Sequence, residues 1–308
     1  MHGFTASEKM ISMRLFCSYT LVVLAALTLA STASARDAQK CDLHLVNQTV
    51  GKRLKVAIKD DDSGKESYEV IALVCKQHPV EAAWTVVALF QDLPIVAPGT
   101  AAEVTSALFV LAFVDRATKR IVSWHQKVME ADAVTRFDAY SLRIDTAHYA
   151  LAPLVRAVGV RMNTFVSRCS HDGGYSDELS LFVQRGPRLE PVLSSMSLSV
   201  WQLQVLSGSS CGDMADVKKA THYADLSLSI LPSSTHGFAD IAVRAKTRTE
   251  LEGERWEQAG RKAPALKEVT VQLGTLQFNG KGYDGAAQVS EAVRQLHERR
   301  MRLVEKVK

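Results

Sequence analysis

In three stretches of this chain residues alternate with a period of two, the spacing of a strand with one covered face. Residues 140–145 place Leu142 and Ile144 on one side and Ser141 and Arg143 on the other. Residues 197–206 set Leu198, Val200, Gln202 and Gln204 against Ser197, Ser199, Trp201, Leu203 and Val205. Residues 224–231 set Leu226, Leu228 and Ile230 against Asp225, Ser227, Ser229 and Leu231. Other runs are continuously apolar and β-branched. Residues 84–90 end before Pro94, Pro98 and Gly99, and residues 106–115 reach a polar turn at 116–119 from which 120–126 return. That pair predicts a hairpin. Residues 177–183, the turn 185–187 and the return 189–193 predict a second. Further strands are predicted over 154–166, kinked at Gly159, and over 238–245, 267–273 and 276–283.

The flanks differ. Residues 54–59 and 68–75 read as strands on either side of the polar turn Asp60-Asp61-Asp62-Ser63-Gly64-Lys65, and 249–265 read as a charged, exposed loop. Residues 286–308 lack Pro and Gly, and Val289, Val293, Leu296, Leu303 and Val304 recur at helical spacing. Together these elements predict a mainly β fold: antiparallel sheets built from hairpins, as a sandwich or an irregular propeller-like array, followed by a C-terminal amphipathic helix.

The N-terminus changes the picture of compartment. Arg14 precedes an apolar run over 15–30, and Ala33-Ser34-Ala35 follows it. A positive flank, a short apolar core and a small-x-small site make a cleavable secretory signal over 1–35. The run is shorter than the roughly 20 residues a spanning helix needs. No later stretch is long and apolar enough, so no stable membrane insertion is expected after cleavage. The expected organisation is a signal peptide over 1–35, a disulfide-stapled β domain over 36–285 with a small N-terminal subdomain over 36–83, and a helix over 286–308. The expected location is periplasmic or secreted.

Cysteine usage agrees with export. Beyond Cys17 in the signal, the cysteines are Cys41, Cys75, Cys169 and Cys211, an even count suited to disulfides. Chain order favours Cys41–Cys75 and Cys169–Cys211, because each closes a local loop. No CxxC or HxxxH pairing argues for metal or redox chemistry. The net charge of +4 does not call for nucleic acid.

The hairpins share a cadence: Leu108 to Arg116 with Ile121-Val122, and Leu179 to Arg185 with Pro191-Val192. Later, His236-Gly237-Phe238-Ala239-Asp240-Ile241 is followed by Leu276-Gln277-Phe278-Asn279-Gly280-Lys281-Gly282-Tyr283. That later pattern looks like one in many exported bacterial β proteins, some of them propeller-like, and the stretch 142–192, with Ile144 to Pro153 and Ser176 to Val183, resembles a group of uncharacterised exported proteobacterial β-rich proteins. The resemblance implies compartment and β class, and no activity.

Candidate sites are few. Cys169 to Glu178 form a polar loop in which Asp172, Asp177 and Glu178 offer oxygens to a cation such as Ca²⁺, although the spacing is not that of an EF-hand. Asp60, Asp61, Asp62 and Glu66 form a second acidic loop. Gly208-Ser209-Ser210-Cys211-Gly212 is not a G-x-S-x-G elbow, and His125, His171, His222 and His236 are scattered. Arg294, Arg299, Arg300 and Arg302 give the tail helix a basic face, and Trp124 and Trp201 lie in strands where an outward ring would mark a binding face. No cofactor is implied. The expectation is a non-enzymatic module binding an envelope component or a secreted protein. The alternative is a hydrolase of an envelope polymer with catalytic groups assembled from loops.

Overall fold

The computed structural model describes residues 40–59, 70–95, 104–130, 137–163, 173–207, 218–252 and 266–305. Twelve strands form one mixed sheet, almost wholly antiparallel, which does not close into a barrel. Strands β1 (Val70–Gln77), β2 (Trp84–Ile95), β3 (Val104–Asp115) and β4 (Arg120–Glu130) pair in chain order as a first meander. A second contains β5 (Leu142–Ala152), β6 (Val155–Met162), β7 (Gly173–Arg185), β8 (Arg188–Ser207), β9 (Lys218–Thr235), β10 (Phe238–Glu252), β11 (Val269–Phe278) and β12 (Tyr283–Asp284). It too pairs neighbour to neighbour. The meanders meet in the sheet at one parallel bridge, Trp124 of β4 with Arg188 of β8.

The continuous apolar runs of β2 and β3 arise because both their faces are covered. On one face Val86, Ala88, Phe90, Phe109, Leu111 and Phe113 pack against Leu142, Ile144, Val158, Val160 and Phe182 of the second meander. On the other, Val87, Leu89, Val110, Ala112 and Val114 carry the N-terminal helical segment through Leu45, Val46 and Val50. That segment is a turn of α-helix, α1 (Leu43–Val46), a π-helical turn (Asn47–Gly51) and α2 (Lys52–Leu54). The strand expected at 54–59 is absent. Leu54 ends α2, Lys55 is left-handed, and Asn47 holds the returning backbone instead. Its amide donates to the Ile58 carbonyl (2.7 Å) and its side-chain oxygen accepts from the Ile58 N–H (2.8 Å), substituting for a ladder. A disulfide joins Cys41, ahead of α1, to Cys75 of β1.

The curled face of the second meander forms another core. Leu179, Leu181, Leu193, Ile241, Val243 and Leu276 lie beneath Val289 and Val293 of the C-terminal helix α3 (Ala286–Glu305). Three expectations change in this half. The strands read at 189–193 and 197–206 are the single strand β8, irregular near Ser195, whose φ is positive. The strands read at 267–273 and 276–283 are mostly β11, with an extra residue near Leu273 where its register against β10 slips. The kink expected at Gly159 is replaced by a bulge in the neighbouring β5, between Asp145 and Tyr149, while β6 stays in register with β7. At Gly159 a side-chain carbon would lie 3.0 Å from both the Asp145 Cβ and the Leu179 Cδ1, so close approach explains the glycine.

The helix expected over 286–308 is present through Glu305. Its buried stripe runs Val289, Val293, His297, Arg300 and Val304, while Leu303 is exposed. Two polar residues thus occupy a face that hydrophobicity alone assigns to apolar ones, and Arg300 is not part of a solvent-facing basic patch. Among the described residues no helix is long and apolar enough to cross a membrane.

Candidate functional site

The single parallel bridge between the meanders lies at the origin of a cleft between β4 and β8. Trp124 donates its backbone N–H to the Pro187 carbonyl (3.1 Å), and His125 Nδ1 donates to the Leu189 carbonyl (3.1 Å). Past this point, among the described residues, β4 pairs only with β3, and β8 pairs only with β7 until Ser199 meets β9. Two strand edges therefore diverge from a common origin. Successive residues of a strand direct their backbone groups to opposite sides. Since Trp124 points its N–H towards β8, Gln126 and Val128 point theirs into the same gap. Pro191 is tolerated in β8 because the side that lacks a donor faces this gap rather than β7.

The resulting cleft has a volume of about 590 Å³. Trp124, Gln126, Arg188, Pro191 and Val122 line it, and Arg53 leans in from α2. The position of Arg53 is set locally. The Asp42 side chain accepts the Leu45 N–H and caps α1, Asn47 fixes the exit from α2, and the Arg53 guanidinium then stacks 4.4 Å from the centre of the Trp124 ring. The indole N–H donates to the Gln126 side chain (3.0 Å). Trp124 is thus 9% exposed, capped by a cation rather than turned outward. Trp201 is also buried, over Gly174, so both rings are packing residues and neither marks an outward binding face. Burial holds the His125 ring below the usual histidine range, with Phe109 and Phe182 beside it, and its bond to Leu189 opposes that shift.

The other candidates lie elsewhere. Asp177 sits at positive φ in β7, and its carboxylate is paired with Arg143 (2.8 Å) and Arg161 (2.6 Å). Arg161 also pairs with Asp145 (2.6 Å), which accepts from the Tyr149 hydroxyl (3.0 Å). Burial pushes the Asp145 carboxyl up, but the Ala147 N–H, Arg161 and Tyr149 outweigh it and leave its pKa below the ordinary value. Burial raises the Glu178 carboxyl, against the pull of Lys127. Asp172, His171, the acidic loop at 60–66, Ser209, Ser210 and the Cys169–Cys211 pair lie outside the described residues. Among the described residues no group of three or more His, Cys, Asp and Glu side chains gathers as metal ligands would.

The histidines do not converge on one site. His236 occupies the β9–β10 turn, and His222 is completely buried between Gln204 (3.0 Å) and the Thr249 hydroxyl (3.1 Å). Thr249 also accepts from Arg300 Nε (2.8 Å), and Arg300 donates further to Thr247 and the Lys267 carbonyl. His297 completes this polar layer under α3. Burial, then the charge of Arg300, lowers its pKa to about 4. His222 is lowered to about 4 by burial, His297 and Arg300. Sequence reasoning missed this layer because its members come from four separate strands and helices with no shared motif. It missed Arg53 and Arg188 for the same reason, since each is an isolated basic residue until the fold brings the pair to one cleft.

Of the resemblance carried by 142–192, the structure shows the β-rich character. No protein family, curated protein or solved structure matches this chain.

Proposed function

We propose that this protein is a binding module of the periplasm or extracellular space, which takes an extended segment of an envelope or secreted protein into the β4–β8 cleft. The observation that carries the reading is the pair of diverging strand edges, which direct the backbone groups of Gln126, at the cleft, and of Val128, beyond it, into the gap between β4 and β8. An extended peptide gains affinity from main-chain bonds to such an edge and specificity from pockets under its alternate side chains. The features of residues 1–35 and the Cys41–Cys75 disulfide support an oxidising compartment.

The test is to pan oxidised protein, residues 36–308, against a library of short peptides and compare it with Val128→Pro. That substitution removes a donor aimed at the cleft and leaves the β3 ladder bonds in place. Peptides retained by the native chain and released by the variant are the expected result. Peptides retained equally by both place binding elsewhere and sink the cleft reading.

A further inference from the structure

The charge and the facing of the cleft define its partner more narrowly, an argument that rests on the reading just given. Residues paired across a bridge project to the same face of a sheet, so Trp124 and Arg188 share one face. Arg53 lies on that face too, since it covers the Trp124 ring. Neither guanidinium has a carboxylate partner among the described residues. Arg188 is exposed and makes no ion pair there, and Arg53 makes only its contact with the indole. The one carboxylate lining the cleft, Glu190, is held by Arg185 at 2.9 Å. The opposite face is apolar at the same place. Val122 and Leu189 pack into the core between the meanders, with Phe182 beside them.

From this asymmetry we infer that the cleft recognises an extended acidic peptide in which carboxylates alternate with apolar residues. A strand laid along the edge of β4 turns every second side chain to one face. Carboxylates spaced two residues apart then meet Arg53 and Arg188, whose planar guanidiniums suit bidentate pairing. The intervening side chains meet the exposed Pro191 and the half-buried Val122, with Leu189 buried behind them. The Trp124 ring supplies a rigid floor, and a second cation over its face is already satisfied by Arg53.

The experiment measures fluorescence anisotropy with oxidised protein, residues 36–308, and three labelled octapeptides: alternating Glu and Val, alternating Gln and Val, and alternating Lys and Val. The Glu peptide is expected to bind at least about tenfold more tightly than the Gln peptide at low ionic strength and to lose most of that advantage in high salt. Arg53→Gln and Arg188→Gln are each expected to cut the advantage severalfold, with circular dichroism unchanged because both side chains are at the surface. Equal binding of Glu and Gln peptides overturns the acidic partner and leaves the cleft as a general peptide site. Binding of none of the three, by a chain that circular dichroism shows to be folded, overturns the cleft reading itself. Equal competition by a sulfated polysaccharide shows an unspecific anion surface and also overturns the inference.

Discussion

At the scale of single residues, close approach and buried polarity explain positions that pattern does not. Gly174 pairs across the ladder with Trp201, and a side-chain carbon there would lie 2.7 Å from the indole nitrogen. Gly174→Ala is therefore expected to destabilise the fold by about 1–3 kcal/mol, the usual penalty for overpacking. The midpoint of urea unfolding measures it, and an unchanged midpoint would show that the ring can move. Gly173 and Gly174 lie within the polar loop read over 169–178, and nothing local there reveals a tryptophan 27 places after Gly174. Asp177 was legible as a polar-loop carboxylate but not as the partner of Arg143 and Arg161, since those pairs form only when β5, β6 and β7 lie side by side.

At the scale of elements, the polar layer under α3 makes stability depend on pH. His222 and His297 have folded-state pKa values of about 4, below the ordinary histidine value. His78 is likewise held at about 4 by burial and by Arg156, and its Nδ1 accepts from the Glu81 N–H (2.9 Å). The unfolded chain takes up protons on these rings near pH 6.5, while the folded chain resists until about pH 4. Stability from this source is complete above about pH 6.5 and falls as the pH drops towards 4. Each ring costs up to roughly 3 kcal/mol of stability by the bottom of that window. Thermal melting is expected to shift downward between pH 7 and 4, with a shallower slope in His222→Gln, whose amide can keep a bond to Thr249. A melting temperature independent of pH across this range would contradict the buried placement of the rings. Glu291 and Glu298 both pair with Arg294, so these carboxylates are not partners of this layer.

The elements were legible to different degrees for physical reasons. Strands with one covered face, such as β9, show alternation. β2 and β3 show only a continuous apolar run, which betrays burial on both faces but not what covers them. Bulges in β8 and β11 hid single strands as two, because a slipped residue breaks the period of two. The tail helix was read correctly in extent through Glu305, yet its stripe was misjudged, since His297 and Arg300 are buried by hydrogen bonding rather than by hydrophobicity.

At the scale of the whole molecule, one covalent bond ties the N-terminal helical segment, whose Arg53 lines the cleft, to β1 at the far edge of the first meander. The disulfide between Cys41 and Cys75 closes a 34-residue separation, for which chain entropy predicts roughly 3–4 kcal/mol of stabilisation. Cys41→Ser with Cys75→Ser is expected to lower stability by about that amount and to weaken peptide binding, because Arg53 loses its fixed place over Trp124. Unaltered binding in a folded double variant would show that α2 is held by its core contacts alone. The export proposal has its own check. Residues 1–35 fused to a reporter enzyme that requires disulfides should yield active enzyme outside the cytoplasm, and a reporter left inactive inside the cell would remove that part of the account. The cadence shared by the two early hairpins was visible in the sequence, but the parallel bridge that sets them side by side was not. It rests on a single pair of residues.

The central claim is that β4 and β8 present open edges to an extended partner. Its most direct test is amide hydrogen exchange at Gln126 and Val128, read in the free protein and with the alternating Glu and Val peptide bound. Fast exchange in the free protein, slowed strongly by the peptide while Trp124 stays protected throughout, is the predicted result. Protection of Gln126 and Val128 in the free protein equal to that of Trp124 would mean that the cleft is already closed, and would contradict the account.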